Sequence, residues 1–324
     1  MILNLILAFK NNISLMIITK FFLIILLINS NLFAQDAIKR NGGSYVKTSL
    51  NAYSFNQLLI DNILSKDKGI SLSELLVFCA DNNFDAVDVT GYYFPGYPIV
   101  PSDKDINEFK RRAFELGLDI SGTGVRTHFA NSDSLKRTED VKLVKEWIDV
   151  AVKLGAPVIR VFAGEIPLAY ENRRNEVARY VTESLKECAE YGKQRGVIVG
   201  IQNHGDFLQT ADQCIEIVKA VNSEWFGIIV DIGSFFTKDP YIDIEKVMPY
   251  AVNFQVKTSV FSPQGPMETD LPRLMKIINR SGYRGYLPIE TLQIKGEAHQ
   301  AYDPHTLVPA FLKEVKTAIK EEYK

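Results

Sequence analysis

The segment Gly196–Gly205 reads GVIVGIQNHG, a short apolar run that ends in polar residues. Seven further short apolar runs occur along the chain, separated by stretches in which apolar residues have helical spacing. Short strands that alternate with helices are typical of an α/β fold, and eight such units predict a (β/α)₈ TIM barrel. The C-terminal ends of the strands meet at one pocket in that fold, so the polar residues that end each run are candidates for chemistry.

The predicted barrel occupies residues 36–324 as one domain, because no Pro-rich or Ser-rich linker divides the chain. A capping box at Ser71–Glu74 predicts the start of the first helix, and the apolar spacing predicts a long helix over residues 134–154. The eight predicted strands cover residues 45–50, 86–89, 118–121, 158–162, 197–201, 227–230, 252–256 and 285–289.

Residues 1–35 are predicted to be a secretory signal peptide that precedes the barrel. Lys20 stands before the apolar run FFLIILLI, a polar stretch follows, and Ala34 is a plausible last residue of the signal. The run is short for a membrane span, so we expect export to a periplasm without stable membrane insertion, with a retained N-terminal anchor as the alternative. Met16 would itself begin a normal signal, which suggests that translation starts there.

The composition is that of an ordinary globular protein of 324 residues, with 46% hydrophobic and 23% charged residues. A formal net charge of -2 gives no basic field for a phosphate backbone to follow, so nucleic acid is not an expected partner. The three cysteines, Cys79, Cys188 and Cys214, fall inside predicted helices among apolar residues. We therefore expect buried thiols rather than a disulfide framework.

Polar residues at the ends of the last four predicted strands are the strongest functional signal. Two carboxylates that converge on one barrel mouth suggest a divalent metal, because bare anions at the ends of buried strands are costly. Two amide oxygens complete a set of oxygen ligands that suits Mg²⁺ or Mn²⁺ better than Zn²⁺. The predicted ligands are Gln202, Asp231, Gln255 and Glu290.

Other polar and aromatic residues at the same end of the barrel are predicted to hold a hydroxyl-rich or anionic substrate. An aromatic loop, residues 92–97, offers rings that could stack on a sugar, or that could instead pack on the barrel rim. The predicted substrate-binding residues are Tyr53, Arg126, His128, Arg160 and Asn203.

Each of these residues also has a structural interpretation. Asp231 would serve equally well as the cap of the turn that follows it. Glu290 would pair with an arginine across the barrel mouth, and Lys257 or Arg160 would pair with a carboxylate. Four polar endings on consecutive strands are harder to explain in this way together, because a purely structural barrel needs none of them.

The segment Gly196–Gly205, followed by Asp231 and by Pro288-Ile289-Glu290, resembles the xylose-isomerase-like sugar phosphate isomerase/epimerase superfamily over nearly the whole chain after residue 35. The resemblance implies a divalent metal bound by a Glu on strand five, an Asp on strand six, a His on strand seven and a Glu on strand eight. Gln202 and Gln255 stand at two of these positions, so one negative charge and one nitrogen ligand are lost. We therefore expect weaker metal binding than the superfamily pattern implies.

The resemblance also implies sugar chemistry in which two opposed glutamates exchange protons with the substrate. Gln202 cannot act as a base, which leaves Glu290 as the best base or acid. Lys257 and His204 are candidates to polarise or protonate an oxygen, and Glu165 is a possible second carboxylate.

The predicted function is therefore an exported enzyme that acts on a small carbohydrate, a sugar or keto-sugar, by metal-assisted proton abstraction next to a carbonyl. Two alternatives stay open: a 3-keto-glycoside lyase or hydratase of the same fold, and a non-catalytic carbohydrate-binding barrel. An apurinic-site endonuclease of the related barrel type is disfavoured, because it needs several metals and the chain has 4 histidines.

Overall fold

Eight parallel strands close into a barrel in a computed structural model that describes residues 35–292 and 302–324. Each strand pairs with its sequence neighbours, and the last barrel strand closes the ring against the first. The predicted TIM barrel is confirmed. The barrel strands are β1 (Tyr45–Asn51), β2 (Ala86–Thr90), β3 (Asp119–Gly124), β4 (Val158–Phe162), β5 (Ile198–Gln202), β6 (Phe226–Asp231), β7 (Ala251–Lys257) and β10 (Arg284–Glu290).

Helices cover the outside of the barrel. The capping box predicted at Ser71 is present, with Ser71 and Glu74 bonded reciprocally. The helices are α1 (Asn56–Leu64), α2 (Leu72–Asp81), α3 (Asp103–Glu115), α4 (Ser134–Leu154), α5 (Arg174–Arg195), α6 (Ala211–Val221), α7 (Pro240–Val247), α8 (Leu271–Arg280) and α9 (Pro304–Glu322). Short 3₁₀ turns lie at Ala52–Phe55, Gly91–Tyr93, Leu168–Arg173 and Met248–Tyr250.

Two elements were not predicted from the sequence. Helix α1 follows β1 directly, and an antiparallel hairpin of β8 (Ser259–Ser262) and β9 (Gly265–Glu268) follows β7. Both elements sit in the connections that leave the C-terminal ends of barrel strands. Such connections vary most between barrels of this kind, and they shape the pocket at that end.

The core lies between the sheet and the helices. All six residues of β6 are buried, and Trp147 of α4 packs its ring against the turn at Gly91. A Cβ at Gly91 would come within 2.8 Å of that ring, so the packing requires glycine there. Cys79, Cys188 and Cys214 are buried and free, as predicted.

Every barrel strand except β4 extends one or more residues beyond its predicted C-terminal end. Gln202, Asp231, Lys257 and Glu290 are each the last residue of their strand rather than part of a loop. In the register of the sheet Glu290 faces Lys257, and Asp231 faces Gln255. The sheet's hydrogen bonds therefore fix the backbone beneath these polar side chains.

Residues 37–324 form one compact unit. The predicted signal peptide lies almost wholly outside the described residues, since residues 1–34 are not part of the description. Among the residues that are described, no helix combines the length and the apolar character that crossing a bilayer requires.

Candidate active site

A cavity of about 510 Å³ opens at the C-terminal ends of the barrel strands. All the predicted site residues line it except three, Asn203, Asp231 and Gln255, which lie beneath its floor with exposed fractions of 0%, 0% and 1%. The residues that line it include Tyr53, Tyr92, Arg126, His128, Arg160, Glu165, Gln202, His204, Asp206, Lys257 and Glu290.

The centre of the floor is the ammonium group of Lys257. Its Nζ lies 2.8 Å from Oδ2 of Asp231 and 3.8 Å from Oε2 of Glu290. The same Asp231 oxygen accepts a hydrogen bond of 2.7 Å from Nε2 of Gln202. One ammonium group therefore lies between the two carboxylates that end β6 and β10.

Asp231 is held from below by its own strand neighbours. The side-chain amide of Asn203 donates to the Asp231 carbonyl at 2.8 Å and accepts from the Asp231 N–H at 2.9 Å. The Gly233 N–H donates to Oδ1 of Asp231 at 3.0 Å. Asn203 therefore positions Asp231, and it is not among the residues that line the cavity; its predicted role in substrate binding stays a prediction.

A second amide network links β1 to the far side of the floor. Asn51, the last residue of β1, donates from Nδ2 to the side-chain oxygen of Gln255 and to Oε2 of Glu290, the latter at 3.2 Å. The first predicted strand ends at residue 50, one residue before Asn51, and Asn51 was not among the predicted site residues. Its position at the end of the seven-residue strand β1 was the available signal. The sequence locates a strand end only to within one or two residues, so this signal does not single out Asn51.

Arg160 crosses from β4 toward the aromatic loop. Its guanidinium donates to Oε1 of Gln202 at 3.4 Å and to the Tyr92 hydroxyl at 3.0 Å. Among the described residues, its Nε has no hydrogen-bond partner. Arg160 thus fixes the Gln202 oxygen as an acceptor, and the Gln202 amide nitrogen is the group turned toward Asp231.

Asp88 of β2 is a buried carboxyl group below the floor that sequence analysis did not single out. Burial raises its pKa to about 7, while the charge of Arg160 and a hydrogen bond from Asn253 act in the opposite direction. The Asn253 amide donates to Oδ2 of Asp88 at 3.1 Å. Asp88 lies inside its predicted strand rather than at the end, so it was not among the strand-end candidates; it is the third of five buried residues in β2.

The floor perturbs the acid–base behaviour of three groups. Burial raises the pKa of Glu290, although the charge of Lys257 opposes the shift. Burial also acts to lower the pKa of Lys257, but attraction to Asp231 and Glu290 outweighs it and leaves that pKa above its usual value. Desolvation of the ring by the neighbouring cavity wall lowers the pKa of His204, although the charge of Asp231 acts in the opposite direction.

The rim carries the other predicted substrate-binding side chains. Arg126 and His204 are exposed, and the His204 ring packs on Phe162 at 4.7 Å between centroids. His128 shares a hydrogen bond of 2.8 Å between its Nε2 and the backbone oxygen of Glu165. The Glu165 side chain is exposed at the cavity edge.

The aromatic loop divides between cavity and core. Tyr92 lines the cavity, whereas Tyr93 and Phe94 are 2% and 1% exposed in the core. Tyr97 packs on Trp147 at 5.7 Å between ring centroids. The rim-packing interpretation therefore holds for Tyr93 and Phe94, whereas Tyr92 is the ring of this loop that faces the cavity.

The four predicted metal ligands do not form a donor set that fits a divalent cation. The position between Asp231 and Glu290 is filled by the Lys257 ammonium, and Gln202 turns an amide nitrogen, which cannot ligate a metal, toward Asp231. Across residues 35–292 and 302–324, no three His, Cys, Asp or Glu side chains are grouped so as to hold a metal ion. The predicted Mg²⁺ or Mn²⁺ site therefore disagrees with the chemistry of these side chains.

The closed barrel and the polar floor at its C-terminal end define a class of (β/α)₈ proteins that carry their chemistry at one mouth. The chain belongs to the xylose isomerase-like TIM barrel family, whose sequence model matches residues 76–307.

A relative in sequence is an uncharacterized protein of Methanocaldococcus jannaschii, 26% identical over 171 residues. That match covers 50% of this chain and 56% of the relative, so the chain spans about half the length of the curated protein it matches.

Similar solved structures include two sugar epimerases and one epimerase-like protein. A D-tagatose 3-epimerase-like protein has a TM-score of 0.65 at 19% identity, covering 86% of this chain and 100% of its own. D-Psicose 3-epimerase from Clostridium cellulolyticum, solved with D-tagatose, has a TM-score of 0.68 at 16% identity, covering 84% and 99%. The 3-keto-D-glucoside 4-epimerase of E. coli has a TM-score of 0.63 at 14% identity, covering 85% and 99%. At these identities the likeness shows the shared fold.

Proposed function

We propose that this protein is an enzyme that acts on a sugar or keto-sugar by moving a proton at the carbon next to a carbonyl. One observation carries the proposal: the Glu290 carboxylate lies in the cavity wall, 6% exposed, with the Lys257 ammonium 3.8 Å away. A base beside a fixed positive charge is the pair that proton abstraction next to a carbonyl requires.

The chemistry follows from the charges of these two groups. Glu290 takes the proton from carbon, and the electron pair of that C–H bond forms a carbon–carbon double bond. The π pair of the carbonyl then moves onto oxygen, where a hydrogen bond from Lys257 stabilises the developing negative charge. The raised pKa of Glu290 makes this carboxylate a stronger base than one in water.

A carbohydrate substrate is supported by the cavity lining and by the fold. Tyr92 offers a ring beside the guanidinium groups of Arg126 and Arg160, which lie 5.7 Å and 5.5 Å from its centroid. Aromatic faces and charged hydrogen-bond donors are the groups that bind sugar rings and their hydroxyls. Two of the similar solved structures are named as sugar epimerases and one as epimerase-like, which agrees with this substrate class.

Elimination or hydration is a second candidate reaction within the same chemistry. Gln202 ends β5 where the resemblance implies a glutamate, so the described floor has no second base opposite Glu290. A reaction that needs one base, such as lyase chemistry on a 3-keto-glycoside, then requires fewer groups than epimerisation. Glu165 and Asp206 are the other carboxylates that line the described cavity, so a two-base reaction would have to use one of them.

Solvent deuterium exchange tests the proposed function directly. Purified protein in D₂O is incubated with a panel of ketoses and 3-keto-glycosides, and proton NMR follows loss of the signal from the carbon next to the carbonyl. We expect exchange with at least one class, and Glu290→Gln should slow it by about 10²–10⁴-fold, the usual contribution of a positioned base. Glu224→Gln, at an exposed position outside the cavity, is the matched control.

The products separate the two candidate reactions. Epimerisation returns an intact sugar, whereas elimination releases the group attached through oxygen. Exchange that persists at the full rate in Glu290→Gln would contradict the assigned base. Binding of the panel in a calorimeter without any exchange would instead identify a non-catalytic carbohydrate-binding barrel.

We also propose that the protein is exported to the periplasm through the signal peptide in residues 1–35. Support comes from the order of Lys20, the apolar run that follows it and Ala34. N-terminal sequencing of the protein recovered from a periplasmic fraction would test this, with Gln35 expected as the first residue. Recovery of the intact N-terminus from a membrane fraction would contradict it.

A further inference from the structure

The ammonium group of Lys257 lies between Asp231 at the end of β6 and Glu290 at the end of β10, two of the positions at which the resemblance implies metal ligands. Its Nζ is 2.8 Å from Asp231 and 3.8 Å from Glu290, so both carboxylates of the implied metal site are directed at one organic cation. The side chain of Lys257 is 11% exposed, and that exposed part lines the cavity. The group is therefore reachable by a substrate oxygen while its charge is balanced from below.

The two amides that replace implied metal ligands, Gln202 and Gln255, are uncharged, and this suits a site whose cation is a singly charged ammonium group. A glutamate at position 202 would give one ammonium group three neighbouring carboxylates, whereas Gln202 removes a negative charge and donates to Asp231 at 2.7 Å. The oxygens of Gln202 and Gln255 already accept hydrogen bonds from Arg160 and Asn51. Both substitutions therefore fit a singly charged centre.

The charge of the floor points the same way. Asp231 and Glu290 are balanced by Lys257 and Arg160, all four of them buried. A divalent cation added to this set would leave an excess of positive charge in a site of low dielectric constant, where uncompensated charge is expensive.

We propose that the Lys257 ammonium group takes the place of the divalent cation implied by the resemblance, and is the resident positive charge that holds a substrate oxygen in this cavity. The claim about the cation concerns the protein alone, while the claim about the substrate oxygen rests on the proposed function. Within that function, Lys257 donates a hydrogen bond to the carbonyl oxygen while Glu290 receives the proton from carbon.

Titration with Mn²⁺ tests the cation claim without any substrate. Electron paramagnetic resonance measures free Mn²⁺ as metal-stripped, full-length wild-type protein is added. We expect no saturable binding up to roughly 1 mM, the weak end of oxygen-ligated cation sites. A triple variant, Lys257→Met with Gln202→Glu and Gln255→His, restores the implied ligand set, and it should bind one Mn²⁺ at least about 100-fold more tightly.

Lys246→Met is the matched control, because Lys246 pairs with Asp212 on the exposed surface. It should behave as the wild type does. Tight binding of one Mn²⁺ by the wild type would overturn the proposal, as would a folded triple variant that binds no better than the wild type. If the triple variant does not fold, the wild-type titration still tests whether the site binds a divalent cation. Neither titration depends on turnover, so failure of this proposal and failure of the proposed function can be told apart.

Discussion

Two ion pairs of equal length occupy opposite ends of this barrel. Lys47 and Asp119, near the starts of β1 and β3, lie 2.8 Å apart with exposed side-chain fractions of 40% and 48%. Lys257 and Asp231, at the ends of β7 and β6, also lie 2.8 Å apart, with exposed fractions of 11% and 0%. Distance does not distinguish the two pairs, whereas burial does.

Burial changes what each pair does for the protein. Water and salt screen the exposed pair, so breaking it costs little. The buried pair has lost its hydration, so each charge depends on its partner and on the amides around it. Breaking the buried pair at the C-terminal end of the barrel should therefore lower the free energy of unfolding more than breaking the exposed pair at the other end. Variants that break each pair in turn test this comparison.

Removal of the buried ammonium should have the largest effect on stability. Lys257→Met leaves Asp231 with no cation within contact distance in the described part of the chain, and we expect a loss of about 3–5 kcal/mol in the free energy of unfolding. Urea denaturation followed by circular dichroism measures it. A double variant, Lys257→Met with Asp231→Asn, should recover much of the loss because no isolated charge remains. A loss below about 1 kcal/mol would show that burial does not separate the two pairs as argued.

Asp88 extends the comparison, because it is a buried carboxyl group that pairs with no ammonium group of residues 35–292 or 302–324. Its pKa of about 7 in the folded state lies above the ordinary value of 3.8, so the folded state holds this proton more tightly than the unfolded state does. Stability from this group is therefore fully present below pH 4 and is lost as the pH rises through about 7.

Asp88→Asn should remove that part of the pH dependence. Because one pKa unit corresponds to about 1.4 kcal/mol, we expect the variant to gain up to roughly 4 kcal/mol relative to the wild type between pH 4 and pH 8. Urea denaturation of both proteins at several pH values measures the difference. Parallel stability curves for the two proteins would contradict the assigned pKa. Asp212→Asn, at an exposed position, controls for the loss of a surface carboxylate.

The fold was predictable from the sequence because its signal is repeated. Eight apolar runs with helical stretches between them give many independent indications of one architecture, and helix α4 begins and ends at the predicted residues, 134 and 154. The hairpin of β8 and β9 was missed since it has no buried face long enough to show strand alternation; its second strand is largely exposed.

The sequence predicted which residues lie at the candidate site but not which side chains contact one another there. Strand ends identified Gln202, Asp231, Gln255, Lys257 and Glu290, because a barrel brings those ends together. The sequence does not tell which way an amide turns, or that Lys257 lies between two carboxylates. Asn51 and Asp88 were also missed. Asn51 lies one residue beyond the predicted strand end and Asp88 lies inside a strand, and both form hydrogen bonds to residues of β7 that are distant in sequence.

The exposed pair completes the comparison with the smallest expected effect. Lys47→Met should cost less than about 1 kcal/mol in the free energy of unfolding, because both side chains stay hydrated after the pair is broken. Part of that cost should disappear in about 1 M salt, where the screening length falls to roughly 3 Å, whereas the cost of Lys257→Met should persist. Urea denaturation at low and high salt measures both. Equal salt sensitivity of the two variants would mean that water and salt reach Asp231. Burial would then not distinguish the pair at the C-terminal end of the barrel from the exposed pair.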